Sequence, residues 1–240
     1  MHFLANPGRF VRIADRVLPW VSALAVVLVA VGLYAGLVIV PADYQQGDTV
    51  RIMYVHVPAA WMAMFVYASL AAAAASGLIW RHPLGFVIAQ SAAPIGAAFT
   101  FLALVTGSLW GKPMWGTWWV WDGRLTSVLI LFFLYLGLMA LVEAFDDPKR
   151  GQKAAAVLAL VGVVILPIIK FSVDWWATLH QPASIMRLDG QTTIHASQLW
   201  PVLVMALGFT AYYIAVLLVR VKQQVLASRL RSLQLAAADA

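Results

Sequence analysis

The chain has 240 residues, 63% of them hydrophobic and only 11% charged, with a formal net charge of +6, no cysteine and a mean hydropathy of +0.86. A soluble domain carries roughly 25% charged residues, so this composition excludes an ordinary soluble enzyme and implies one integral membrane domain over residues 1–240. The missing cysteines exclude disulfides, Cys-ligated zinc, iron–sulfur clusters and CxxC thiol chemistry, and the basic excess has to be read by position, giving by itself no reason to expect nucleic acid.

Crossing about 30 Å of hydrocarbon takes roughly 20 helical residues. Six apolar stretches are long enough: 18–40, 58–80, 84–109, 125–145, 154–171 and 199–220. All are expected to be helices, because backbone facing lipid must satisfy its own hydrogen bonds. The first stretch is far longer than a signal-peptide apolar core and no clean cleavage site follows it, so no cleaved leader is expected. Before the second stands "MYVHVPAAW". Pro58 pushes Val57 towards an extended conformation and suits a first helical turn, which puts His56 just before a helix start at the membrane surface. The second span carries Ser69, Ala73 and Gly77, and the third Ala92, Gly96 and Thr100. Small residues four apart let helices approach closely in lipid, either within one bundle or at a docking face for another subunit. Pro94 and Pro167 are expected to kink their helices.

Between the third and fourth spans stands "WGTWWVWDGRLTS", residues 115–127. Trp20, Trp80 and Trp200 fit an aromatic belt at helix ends. Trp110, Trp115, Trp118, Trp119 and Trp121 are too dense for anchoring one loop. If residues 115–121 are helical, Trp115, Trp118 and Trp119 share a face and form a shelf for a large planar apolar ligand. Asp122 is placed to cap the fourth helix or pair with Arg124. Arg124 is alternatively placed to face a ligand carboxylate with its paired donors. Between the fifth and sixth spans, "WWATLHQP" sets His180 beyond an aromatic pair, with Pro182 disfavouring helix at Gln181. His195 precedes the last span, and "LQLAAADA" at the end reads as a fraying tail.

Orientation follows from Lys and Arg. One side holds Arg9, Arg12, Arg16, Arg81, Lys149, Arg150, Lys153, Arg220, Lys222, Arg229 and Arg231; the other holds Arg51, Lys112, Arg124, Lys170 and Arg187. Eleven against five puts both termini in the cytoplasm. The three longer loops then face outward, to the periplasm in a Gram-negative bacterium, and they hold His56, His180, His195 and the Trp-rich segment. His2 and His82 fall on the cytoplasmic side, where solvated, inert roles are expected.

Two histidines in aromatic settings on one face raise the question of a metal. A closed zinc site wants four ligands, and Asp43, Asp48, Asp122, Asp174 and Asp189 are not spaced as a local motif. Haem suits the inventory better, since it needs only two imidazoles on opposite sides of a flat ring. Arg51, Lys112, Arg124 and Arg187 are candidate partners for its propionates. No GxxxxGK[ST] loop is present, so ATP hydrolysis would occur on another chain. None of the six stretches contains a histidine, which argues against a b-type oxidoreductase holding haem inside the bundle.

The Trp-rich segment resembles the WWD motif of the bacterial haem-handling membrane proteins. Its continuation "WDGRLTS", with "MYVHVPAAW" and "WWATLHQPAS", is most similar to the haem exporter protein C family of the cytochrome c maturation system, and the likeness covers essentially the whole chain. The resemblance implies an all-α, six-helix, multi-pass protein of the bacterial inner membrane. It implies haem b bound at the periplasmic face, with Trp115, Trp118, Trp119, Trp121, Asp122 and Arg124 in the platform and His56 and His180 as axial ligands. It further implies partners: the ATPase and membrane subunits of an ABC transporter, a small single-span subunit, and a periplasmic haem chaperone that receives the haem. The alternatives are a haem-free transport or scaffold subunit and a membrane b-type oxidoreductase.

Overall fold

The computed structural model describes residues 6–176, 178–180, 184–185 and 192–238. Six of its helical segments are long and apolar enough to cross a membrane. Helix α1 (Pro7–Tyr34) starts on Asn6, whose side chain accepts the Gly8 and Arg9 amides, and ends in a wider-wound segment, Ala35–Ile39. A 3-10 turn, Asp48–Ile52, feeds α2 (Met53–Ile79). There follow α3 (Gly85–Trp115), α4 (Gly123–Glu143), α5 (Pro148–Gly162), α6 (Ile165–Trp175) and α7 (Ala196–Ala238). Among the described residues there is no strand, only an isolated bridge between Asp43 and Gly47.

Helix α2 lies at the centre, against α3, α5 and α7; α1 runs along α7, and α4 packs on α3, α5 and α6. The core consists mainly of small α2 and α3 residues around three tyrosines, Tyr67, Tyr135 and Tyr213. The small residues at spacing four are used for this packing. A Cβ on Gly85 would meet Gly77 N at 2.6 Å and Ala73 O at 2.8 Å, so backbone touches backbone at the α2–α3 turn. A Cβ on Gly96 would meet Tyr135 Cζ at 2.1 Å, and the Tyr135 hydroxyl donates to Ala63 O at 2.8 Å. Gly96→Ala is therefore expected to lower stability by about 1–3 kcal/mol through overpacking, seen as an earlier thermal transition in detergent. Gly137→Ala is the control, because a Cβ there meets only Leu158 Cδ2 at 3.9 Å; it should leave the transition unchanged or raise it.

The observed helices correct the expected spans in three places, and the fifth span is interrupted near Pro167 as its sequence suggests. Helix α2 begins at Met53 rather than near Pro58, so His56 sits inside its first turn and within a membrane-spanning segment. Pro58 therefore lies in the second turn of α2, where it has no N–H for the Tyr54 carbonyl. Helix α3 continues to Trp115, with Pro94 and Pro113 inside it. The fifth span breaks at Val163–Val164, between α5 and α6. Pro167 explains the break: it has no N–H for the Val163 carbonyl, and its ring crowds that group. Finally, α7 runs on to Ala238, so most of the tail expected to fray is helical.

Candidate functional site

His56 is held by α3. A Cβ on Gly107 would meet His56 Cε1 at 2.9 Å, so the imidazole lies in space that glycine leaves open. His56 Nδ1 is 3.0 Å from Thr106 Oγ1, and that hydroxyl is 2.6 Å from the Leu102 carbonyl. A carbonyl only accepts, so the shorter contact takes the single hydroxyl proton. The imidazole therefore donates from Nδ1, which leaves Nε2 with its lone pair. Trp110, one turn beyond Thr106, meets the His56 ring edge-on with centroids 5.7 Å apart, and its own Nε1 donates to Gln46 Oε1 at 3.0 Å.

His180 is held by the start of α4. Asp122 has the extended backbone of an N-cap and accepts the Leu125 amide at 2.8 Å through Oδ1. Its Oδ2 accepts from His180 Nδ1 at 2.8 Å and from the Thr178 hydroxyl. The Thr178 oxygen in turn accepts the His180 amide at 3.1 Å. Burial pushes the Asp122 carboxyl up, but the Thr178 hydroxyl, the Leu125 amide and the His180 ring together hold it below the usual carboxylate range. Burial depresses His180 below the usual imidazole range, and nearby Arg124 adds to that, while the bonded Asp122 carboxylate opposes it without cancelling it. A neutral imidazole facing an ionised carboxylate is the state that ligates metal. Here too Nδ1 is committed and Nε2 is left.

The two imidazoles flank the C-terminal end of α3. His56 meets Trp110, and His180 meets Trp115 with ring centroids 4.7 Å apart. The structure thus brings His180, Trp115 and Asp122 together and sets His56 against the same end of α3 through Trp110.

The expected helical Trp shelf is not formed. Gly116 adopts a left-handed conformation at φ 77° and ends α3, and residues 117–122 run on without helix. Trp115 closes the helix, while Trp119 and Trp121 pack edge to face at 5.4 Å. Trp118 and Trp121 remain 55% and 74% exposed, so apolar ring surface is still presented outward. Trp119 Nε1 is buried without an acceptor among the described residues.

The candidate cations are engaged by backbone. Arg51 donates to the carbonyls of Gly36, Leu37 and Val40 at the end of the α1 segment. Lys112 donates to Gly116 O at 3.0 Å and lies over Trp118. Arg124 makes no salt bridge with Asp122: it reaches Ser172 Oγ at 3.4 Å and Lys170 O at 3.3 Å, tying α4 to α6. His195 is exposed and pairs with Ser197 Oγ at 2.8 Å at the start of α7. His82 accepts the Leu84 amide in its turn. His2, Gln181, Pro182, Arg187 and Asp189 lie outside the described residues. Among the described residues no three His, Cys, Asp or Glu groups gather as a metal cage.

Sequence reasoning missed Thr106, Gly107 and Thr178. Thr106 was accessible in principle, standing four before Trp110 on one helix face. Thr178, two before His180, has the spacing of a local hydroxyl turn. Nothing local pointed to Gly107. The resulting arrangement is two imidazoles, each with Nδ1 held to an oxygen, set among indole edges and exposed indole faces. It suits a flat apolar ring with two axial positions.

The family profile described as Heme exporter protein C matches residues 1–236. The chain is 60% identical over 232 residues to Heme exporter protein C of Bradyrhizobium diazoefficiens, covering 97% of this chain and 88% of that one. Identity is 51% to the Haemophilus influenzae protein of the same description, with 94% and 92% covered. It is 47% to that of Escherichia coli K12, with 94% and 91% covered. A putative cytochrome c biosynthesis ccmC-like mitochondrial protein of Marchantia polymorpha is 48% identical over 182 residues, 76% of each chain.

Proposed function

The chain belongs to the Heme exporter protein C family, and on that premise we propose that it holds haem b at the periplasmic face through His56 and His180 and passes it to a periplasmic haem chaperone. It is a multi-pass protein of the bacterial inner membrane with a role in haem export and cytochrome c biogenesis, a transport role and not an enzymatic one. One observation carries the finer reading: each of the two imidazoles commits Nδ1 to an oxygen and offers Nε2 beside the same end of α3. Trp115, Trp118, Trp119 and Trp121 supply ring surface, and Asp122 fixes His180. Arg124 acts by holding α4 to α6, and with them the Asp122 cap, and through any donor left over it faces a propionate. Eleven basic residues against five support cytoplasmic termini and a periplasmic site. With no cysteine, the chain cannot hold haem by a thioether bond, and coordination by two imidazoles is reversible, which suits a station that must release its cargo.

The partners in this reading are the ATPase and membrane subunits of an ABC transporter, a small single-span subunit and the chaperone. Purifying the chain without them, in detergent, and recording a visible spectrum tests the reading. A haem band of six-coordinate, low-spin type is expected on the isolated chain. An isolated, folded chain with no haem would instead favour a scaffold subunit whose Trp-rich segment only packs against its neighbours.

A further inference from the structure

The two histidines are not held alike. His180 gives its Nδ1–H to an ionised carboxylate that is only 3% exposed. His56 gives its Nδ1–H to a hydroxyl whose own proton is already spent on the Leu102 carbonyl. A hydrogen bond to an ionised acceptor is roughly twice as strong as one between neutral groups. A carboxylate on Nδ1–H also makes the far nitrogen a more basic, better ligand. Fixation differs as well. The His56 ring is confined sterically, by the α3 backbone at Gly107 along its Cε1 edge and by Trp110. His180 is confined by charge, through an Asp122 that is itself locked by Leu125 and Thr178.

Resting on the haem reading above, we propose that the axial ligands are unequal by construction: His56, held by the uncharged Thr106, lets go of the iron first, and His180, held by Asp122, keeps it. Thr106 and Gly107 are then positioning residues that set how readily the cargo is released. Release involves exchange of one coordination bond at a time, with no change of oxidation state: the Nε2 lone pair of His56 leaves the iron, and a ligand atom of the acceptor takes its place.

The experiment uses the haem-loaded full chain in detergent, reduced and mixed with carbon monoxide, which can bind only after an axial imidazole departs. Thr106→Val is expected to quicken carbon monoxide capture, and haem transfer to apomyoglobin, by roughly three- to ten-fold, the scale of one hydrogen bond. Thr106→Ser should restore the original rate. Gly107→Ala, which crowds the imidazole while leaving the Thr106 hydroxyl in place, should quicken capture too and carries the test if the valine variant does not fold. The C–O stretching frequency reports the ligand that stays opposite. It should move in Asp122→Asn and stay put in Thr106→Val. If Thr106→Val and Gly107→Ala capture carbon monoxide within about two-fold of the parent, or the frequency follows Thr106 rather than Asp122, the assignment of His56 as the leaving ligand is overturned. A parent chain that carries no six-coordinate haem would instead overturn the haem reading itself, so the two failures are distinct.

Discussion

Replacing Asp122 by alanine is expected to cut haem retention roughly 10–100-fold, the usual cost of removing the group that orients a metal-bound imidazole. Two functions meet in this one carboxylate. Through Oδ1 it caps α4 at the Leu125 amide, and through Oδ2 it fixes His180 and Thr178. Alanine loses both, and loss of the cap alone should cost about 0.5–2 kcal/mol of stability. Asparagine separates them. It caps a helix as well as aspartate does, but its amide group is neutral, and an –NH2 turned towards His180 would face two donors, the ring N–H and the Thr178 hydroxyl. Asp122→Asn should therefore unfold at nearly the parent temperature while losing most of its haem. The checks are the haem-to-protein ratio after gel filtration and a thermal melt of the haem-free chain in detergent. Full haem retention by Asp122→Asn would mean that the charge on Asp122 does not hold His180 in its ligating state.

Much of the fold was legible because hydropathy and length decide whether a segment crosses a bilayer, and neither depends on tertiary detail. The small-residue rows on α2 and α3 were legible for a similar reason. Close approach leaves no room for a side chain, as the contacts at Gly85 and Gly96 show. Helix ends were less legible. Pro58 was read as the start of α2, but the 3-10 turn at Asp48–Ile52 had already set the chain winding, so the helix formed before the proline. That moved His56 into a span and removed the argument that no span holds a histidine. The Trp-rich stretch failed differently. Its spacing allowed a helix face, but Gly116 takes the left-handed conformation that ends helices, and the tryptophans after it turn in different directions.

At the site, Asp122 was legible as a cap because capping is local. Its hold on His180 joins positions 58 residues apart and appears only once α4 and the segment after α6 meet. The basic residues show the same limit. Arg51, Lys112 and Arg124 all looked available to a ligand, yet each is drawn to the carbonyls at a helix C-terminal end. Carbonyls towards a helix C-terminus carry partial negative charge, so they compete for any nearby cation. Local spacing cannot show that competition.

The largest effect is expected from removing both ligands. In His56→Ala with His180→Ala, neither Nε2 remains, and the chain holds no cysteine that could replace them. The indole surfaces of Trp118 and Trp121 would still attract an apolar ring, but stacking alone is worth about 0.5–1.5 kcal/mol per aromatic pair beyond area burial, too little to hold haem through purification in detergent. Each single variant keeps one ligand, so it should retain some haem in a five-coordinate, high-spin form that added imidazole returns to low spin. Neither substitution fills a packed space or breaks a cap, so folding should survive. The decisive measurement is the visible spectrum of the purified double variant beside that of the parent at equal protein concentration: the account requires the haem band to disappear, and a full low-spin band in the folded double variant would contradict axial ligation by His56 and His180.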